Sequence, residues 1–247
     1  MRVFFLSDLH LEHGDSPAAR RFCSFFVSEP KRGDMVLLGG DIFDLLVGNK
    51  AVFRSRYQLV LAALTEAGAR GVQIFYLEGN HDFHFAGLFS GQTNVLVHTE
   101  DFSISLPQGR RIWVTHGDLI DEEDSGYRFL RAATKNAPFR AFVRAMPGML
   151  VDWIGSRSSG ASRKYTSGRV ENEGTDRLRR IYLDYARGKV REGYRHVLVG
   201  HSHLRDQVLI EEGDSRGEYL NLGFCSDRLL FAVLEPGSEF FAQREME

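Results

Sequence analysis

The chain has 247 residues, 43% of them hydrophobic, enough apolar material for one large domain with a sizeable core. A formal net charge of −2 removes the whole-chain field that would point to nucleic acid, and no apolar run approaches the roughly 18 residues of a membrane span. The start, MRVFFLSDLH, meets Asp8 too soon for a secretory leader, and the distant pair Cys23 and Cys225 fits no metal or redox spacing, so the sequence reads as cytoplasmic with reduced thiols.

In chain order, short β-rich runs predict strands over 2–6, 35–38, 72–77, 94–97, 111–115, 196–200 and 229–234. Between the second and third, 50–70 has Val52, Tyr57, Leu59, Leu61 and Leu64 at helical spacing and stops at Gly71. Strands alternating with helices predict an α/β or α+β layered fold. Residues 122–192 break the rhythm with long helical patterns around a Ser/Gly-rich stretch at 155–169, and read as a helical insertion in a single domain, 1–247. From Gly126 to Arg169 the insertion holds nine basic residues against one acid, Asp152, so the charge of the chain is sharply uneven. Beyond 205, strand-like pieces around the dipeptides Gly213-Asp214 and Arg216-Gly217 suggest antiparallel hairpins.

The polar residues just past the strands carry the chemistry. RVFFL leads into Asp8 and His10, MVLL into Asp41, VQIFYL into Asn80 and His81, RIWVT into His116, and HVLVG into His201 and His203. Ligands of layered α/β folds bind outside the carboxyl ends of strands, and glycines beside four of these groups let backbone approach closely. Two carboxylates, an amide and four imidazoles, without thiolate, suit Mn²⁺, Fe²⁺ or Zn²⁺. Seven donors are too many for one ion with an open position and fit two ions ~3.5–4 Å apart that share a carboxylate. With Asn80 neutral, such a pair keeps positive charge for a phosphate ester. The bland reading of each residue is a turn or cap; five blocks together are not bland. His13, His84, His98 and His196 read as surface or core-edge residues, and Asp44, Asp82 and Asp118 as turn residues or partners that orient ligands.

The blocks D-x-H, GD, GNH, HG and GHSH, in this order from residue 6 to 203, resemble the calcineurin-like metallophosphoesterase family. The resemblance implies a four-layer α/β/β/α sandwich of two stacked mixed sheets, with the helical insertion over about 122–192 as a lid. It implies that Asp8, His10, Asp41 and His203 hold one metal, and that the bridging Asp41, with Asn80, His116 and His201, holds the other, Mn²⁺ being the foremost candidate. His81 resembles the histidine that contacts the phosphoryl oxygen or protonates the leaving group.

Within the family the chain is most similar to UDP-2,3-diacylglucosamine diphosphatases of lipid A biosynthesis. Shared features are FLSDLHL, GGDIFDLL, HGD followed by Asp121, Asp124 and Tyr127, and the helical insertion before GHSH. The resemblance implies water attack on the phosphate next to uridine, releasing UMP and 2,3-diacylglucosamine 1-phosphate. Asn80, His81, Tyr127, Arg157, Arg163, Lys164 and Arg169 are the residues expected at the substrate. The insertion's apolar residues, among them Phe129, Phe142, Met149 and Trp153, rimmed by Arg and Lys, fit a nucleotide-activated glycolipid or the anionic inner-membrane surface. GNHD departs from the subfamily's usual GNRD, which keeps open a phosphodiesterase or phosphatase for other nucleotide-linked or soluble esters. A non-catalytic scaffold on the same fold is the third reading, and the presence of all seven donors argues against it. The oligomeric state is left open.

Overall fold

The computed structural model describes residues 1–157, 175–224 and 229–247. Its elements are β1 (Val3–Leu6), α1 (Pro17–Ser28), β2 (Met35–Leu38), β3 (Leu46–Val47), α2 (Ala51–Arg56), α3 (Gln58–Ala69), β4 (Gln73–Leu77), β5 (Asp82–Phe83), β6 (Val95–His98), β7 (Phe102–Ser105) and β8 (Arg111–Thr115). Then come α4 (Ser125–Thr134), α5 (Ala137–Ala145), α6 (148–157), α7 (Thr175–Arg191), β9 (His196–Val199), β10 (Asp206–Glu212), β11 (Ser215–Asn221), β12 (Leu230–Leu234) and β13 (Ala242–Glu245). All seven predicted strands are present to within one residue at either end.

Two mixed sheets face each other. The first runs β13-β12-β1-β2-β4-β6, with β1, β2, β4 and β6 parallel; the second runs β10-β11-β9-β8-β7, with β8, β9 and β11 parallel. Alternation along β9 and β11 divides their side chains between two cores. Leu198 and Leu220 join the continuous core shared with the first sheet, while Val197, Val199 and Tyr219 turn outward to Tyr182, Ala186 and Val190 of α7. On the outside of the first sheet, α1 starts under a Ser16 cap with Pro17 at its first turn and buries Phe22, Phe25 and Phe26. Phe25 meets Phe4 of β1 edge-on, ring centroids 5.5 Å apart. Helix, sheet, sheet and helix give the four-layer sandwich.

The residues expected as one insertion contain two kinds of helix. α7 lies on the second sheet and completes the β8–α7–β9 crossover that a parallel pair requires. α4, α5 and α6 instead cover the loops beyond β2 and β4. Asn136 fixes the elbow between α4 and α5: its carbonyl accepts from Phe139 N, and its amide donates to Ala132 O and Ala133 O. α6 is held by Asp152, 2.5 Å from Arg56, and by Gly155, where a Cβ would come within 2.7 Å of Leu45.

Three local expectations are corrected. Residues 50–70 form two helices, because Tyr57 is buried against Phe43 and leaves helical geometry, while Gly14 N bonds Arg56 O across the break. The buried face there runs Phe53, Tyr57, Val60 and Leu64, and Leu59 is exposed. Arg216-Gly217 lies inside β11 rather than in a turn, since a Cβ at Gly217 would meet Val190 Cγ2 at 2.6 Å; the turn is Gly213-Asp214. His196 is fully buried and pairs with Glu218 at 3.0 Å.

At the far end from these loops, Asp34 ties β1 to β2. It accepts from Arg2 N at 2.8 Å, Arg2 Nε at 3.0 Å and Lys31 N at 3.0 Å. Burial alone would raise its pKa, but these bonds and the Arg2 charge hold it below the usual carboxylate range. A depressed folded-state pKa contributes stability above the unfolded value near 4 and loses it as pH falls through the folded value. Asp34→Asn is therefore expected to cost about 1.5–3 kcal/mol at pH 7, with a deficit that shrinks as pH falls below ~4. Urea titrations at both pH values check this; an equal deficit at each would contradict the account.

Candidate metal centre and adjoining cleft

The parallel strands aim their carboxyl ends at one place, and the residues beyond them adopt uncommon backbone. Asp8, His10, Asp41, His201 and His203 all have positive φ, between 46° and 65°. Such conformations in residues other than glycine are costly and cluster at functional sites. Glycines make room: a Cβ on Gly79 would sit 2.1 Å from Asp41 Oδ1, and one on Gly200 2.6 Å from Asp8 Oδ2.

The seven donors expected from sequence converge. Asp8, His10 and His203 form one group and Asp41, His116 and His201 another, with ligand atoms in each within 4.8 Å of one another. Asn80 Oδ1 lies 2.9 Å from His116 Nε2 and 3.0 Å from His201 Nδ1. Asp41 Oδ2 stands between the groups, 3.4 Å from His116 Nε2 and 3.9 Å from His10 Nε2. A third group, His10, Asp44 and His81, adjoins them.

The donor chemistry fits divalent cations. Burial drives His10 well below the usual imidazole range, His201 down to about 3 and His203 down to about 4, so these rings are neutral, the form that ligates. His10 Nε2 and His203 Nε2 approach to 3.3 Å with neither charged. Among the described residues, Asp8 Oδ2 is buried without a hydrogen-bond partner, which is unusual for a carboxylate oxygen. Burial pushes Asp8 up to about 7. Burial opposes charge on His116 too, but Asp41 outweighs it and lifts the imidazole to about 10. Asp41 in turn is held well below the carboxylate range, against its burial, by His116 and His81.

Neighbouring residues fix these donors. Asp82 is fully buried and accepts from Asp41 N, Ile42 N and Gly79 N, at 3.0, 2.8 and 2.9 Å, and from Tyr76 OH at 2.6 Å. It thus holds the loops of Asp41 and Asn80 together. His116 Nδ1 bonds Gly39 O at 2.9 Å, which turns Nε2 toward the centre. His81 Nδ1–H donates to Asp44 O at 2.8 Å, and its ring meets that of His10 edge-on, centroids 4.7 Å apart.

From this centre a cleft runs out beneath the helices. Asn80, His81 and Tyr127 line its inner end; Leu45, Phe83, Leu130, Phe139, Phe142, Met146 and Ile154 make the apolar wall. Arg131 and Lys135 line it too. Asp118 accepts from Arg131 Nε at 2.6 Å and from Tyr127 OH at 3.0 Å; Lys135 Nζ reaches Glu78 O at 3.1 Å. The sequence reading missed this cation pair as site residues. Its signal was the spacing of Tyr127, Arg131 and Lys135, four apart on one helix face.

Other expectations are met differently. Arg157 is exposed and stacks on Trp153, 4.1 Å from the ring centroid, away from the cleft. Arg163, Lys164 and Arg169 lie outside the described residues, as does Cys225. Asp124 caps α4 through Tyr127 N at 2.9 Å, and Asp121 pairs with Arg177 at 3.2 Å.

A family model described as Calcineurin-like phosphoesterase matches residues 1–205. Curated relatives include the UDP-2,3-diacylglucosamine hydrolases of Shigella dysenteriae serotype 1 (strain Sd197) and Escherichia coli O6:H1. Each is 26% identical over 167 residues, covering 68% of this chain and 69% of the relative. Among solved structures, a novel archaeal phosphodiesterase is similar with a TM-score of 0.47 and 14% identity over 99% of both chains.

Proposed function

The chain belongs to the calcineurin-like phosphoesterase family and is a metal-dependent phosphoester hydrolase, and we propose that it cleaves the diphosphate of UDP-2,3-diacylglucosamine to UMP and 2,3-diacylglucosamine 1-phosphate. One observation carries this reading: the cleft that begins at the candidate ligand Asn80 and at His81 passes the cations Arg131 and Lys135 and continues along a mainly apolar wall. A substrate with a diphosphate and acyl chains matches that division. Detergent-dispersed UDP-2,3-diacylglucosamine should yield UMP. Turnover of bis-p-nitrophenyl phosphate without UMP release would favour the second reading, a hydrolase of soluble phosphodiesters, for which His81 in the GNHD block speaks.

In the proposed centre, Asp8, His10, Asp41 and His203 would hold one divalent ion, and Asp41, Asn80, His116 and His201 the other, with Mn²⁺ foremost and Fe²⁺ or Zn²⁺ also compatible. When bound, such ions act as Lewis acids on a phosphoryl group and make water nucleophilic near neutral pH. The protein's own part is positioning. Asp41 spans the two groups, Asp82 holds its loop, and His81, fixed by its bond to Asp44 O, lines the inner end of the cleft where the departing oxygen would lie. Arg131 and Lys135 bring positive charge beside the diphosphate.

Ligation requires deprotonated donors. With His116 at about 10 and Asp8 at about 7, the donor side chains are expected to release about one proton at pH 8 and about two at pH 6 on metal binding, in addition to any proton lost by metal-bound water. Affinity should therefore rise with pH over this range. Calorimetric metal titrations in buffers of differing ionisation enthalpy read the number directly; no release at pH 8 would remove His116 from the ligand set.

The same helices suggest where the enzyme works. Phe129, Met149 and Trp153 are 77%, 81% and 57% exposed, amid Arg128, Arg140, Arg144 and Arg157. No helix among the described residues is long and apolar enough to cross a membrane. The proposed residence is cytoplasmic, with peripheral attachment of this face to the anionic inner membrane. Sedimentation with phosphatidylglycerol vesicles that is lost at high salt supports it, and no sedimentation at low salt refutes it.

A further inference from the structure

Helix α5 has two working sides. Phe139, Phe142 and Met146 face the apolar cleft, whereas Arg140 and Arg144 face a second cleft of ≈ 630 Å³. The opposite wall of this second cleft comes from Asn49 and Lys50 ahead of α2 and from His84 beyond β5. Its lining shares Val143 with the apolar cleft and contains none of the seven candidate metal ligands.

The charge here is one-sided. Lys50, Arg140 and Arg144 line the cleft, and among the described residues no carboxylate does. Arg140 and Arg144 are exposed and stand one helical turn apart, a spacing at which like charges repel. Among the described residues, neither guanidinium has a hydrogen bond or ion pair. Lys50 is held in place, its Nζ bonding Arg144 O at 2.9 Å and Met146 O at 2.6 Å. Among the described residues, His84 is the one residue other than glycine with positive φ, at 60°, that is not a candidate metal ligand. Its Nε2–H donates to Thr134 O at 2.9 Å, which pins this wall to the end of α4. Strained backbone persists where the surroundings enforce it, and it is enriched at binding sites.

Two unpaired guanidinium forks and a fixed ammonium around one open volume match a phosphate group, which accepts paired N–H bonds from arginine. We propose that this basic cleft is a second anion site, apart from the metal centre, that binds a phosphate group carried by an anionic lipid headgroup or present as free inorganic phosphate. The proposal does not depend on which ester the metal centre hydrolyses.

The test uses the full-length, metal-loaded protein and the exposed double variant Arg140→Ala/Arg144→Ala, with Arg20→Ala/Arg21→Ala on α1 as a control of equal charge. Equilibrium dialysis with inorganic phosphate should find one phosphate fewer per chain in the double variant than in the wild type and the control. Phosphatidylglycerol vesicles form the second arm. If the count drops and the double variant also binds the vesicles at least about tenfold more weakly than the control, a lipid headgroup is the source. If only the dialysis count drops, the source is free phosphate. An unchanged count overturns the proposal, and weaker vesicle binding beside it reflects only the charge lost from the membrane-facing helices.

Discussion

Replacing Asp41 with Asn is expected to lower kcat on the order of a thousandfold or more, a loss of about 4 kcal/mol of transition-state stabilisation. The side chain is 1% exposed, and its Oδ2 lies between the imidazoles of the two donor groups. Asp8 and Asp41 are the only carboxylates of the seven donors, so the change removes half of their negative charge. It also removes the one oxygen that both groups share. An amide of the same shape preserves packing and the bond that Asp41 Oδ1 accepts from His81 N at 2.8 Å. Circular dichroism should therefore be unchanged while bound metal falls. A variant with full metal content and an unaltered rate would show that Asp41 does not bridge.

The second large effect separates the two substrate readings. Phe142 lines the apolar cleft from α5 and is 58% exposed, so the fold tolerates a change there. Phe142→Asp sets a carboxylate against the proposed path of the acyl chains, where an unpaired charge is costly. The expected outcome is a fall in kcat/KM on the order of a hundredfold with UDP-2,3-diacylglucosamine, about 3 kcal/mol. Hydrolysis of bis-p-nitrophenyl phosphate, which has no acyl chain, should be unaffected. Equal losses with both esters would mean that the variant disturbs the centre itself, and no loss with either would place the acyl chains elsewhere.

Much of the candidate centre was legible because the carboxyl ends of parallel strands bring the residues beyond them to one place. Reading the first polar residues after RVFFL, MVLL and HVLVG was enough to collect Asp8, Asp41 and His201. Other features depend on contacts distant in sequence, to which local pattern is blind. The break at Tyr57 is made by Gly14, and Gly217 is small because α7 crosses it. The buried spacing of Leu178, Tyr182, Ala186 and Val190 is visible as a helix face, but its partner, the second sheet, is not. Asp82 could be read as a turn residue, and only the fold reveals that it gathers the amides of two loops that carry candidate ligands. Arg157, which the family resemblance implies at the substrate, stacks on Trp153, a contact that no local pattern announces.

The central claim is that five strand ends assemble one binuclear centre. Anomalous diffraction from crystals grown with manganese tests it most directly. Two peaks are expected ~3.5–4 Å apart, one beside Asp8, His10 and His203, the other beside Asn80, His116 and His201, with Asp41 touching both. A map without an anomalous peak in reach of Asp41, from protein that still hydrolyses phosphodiesters, would contradict it.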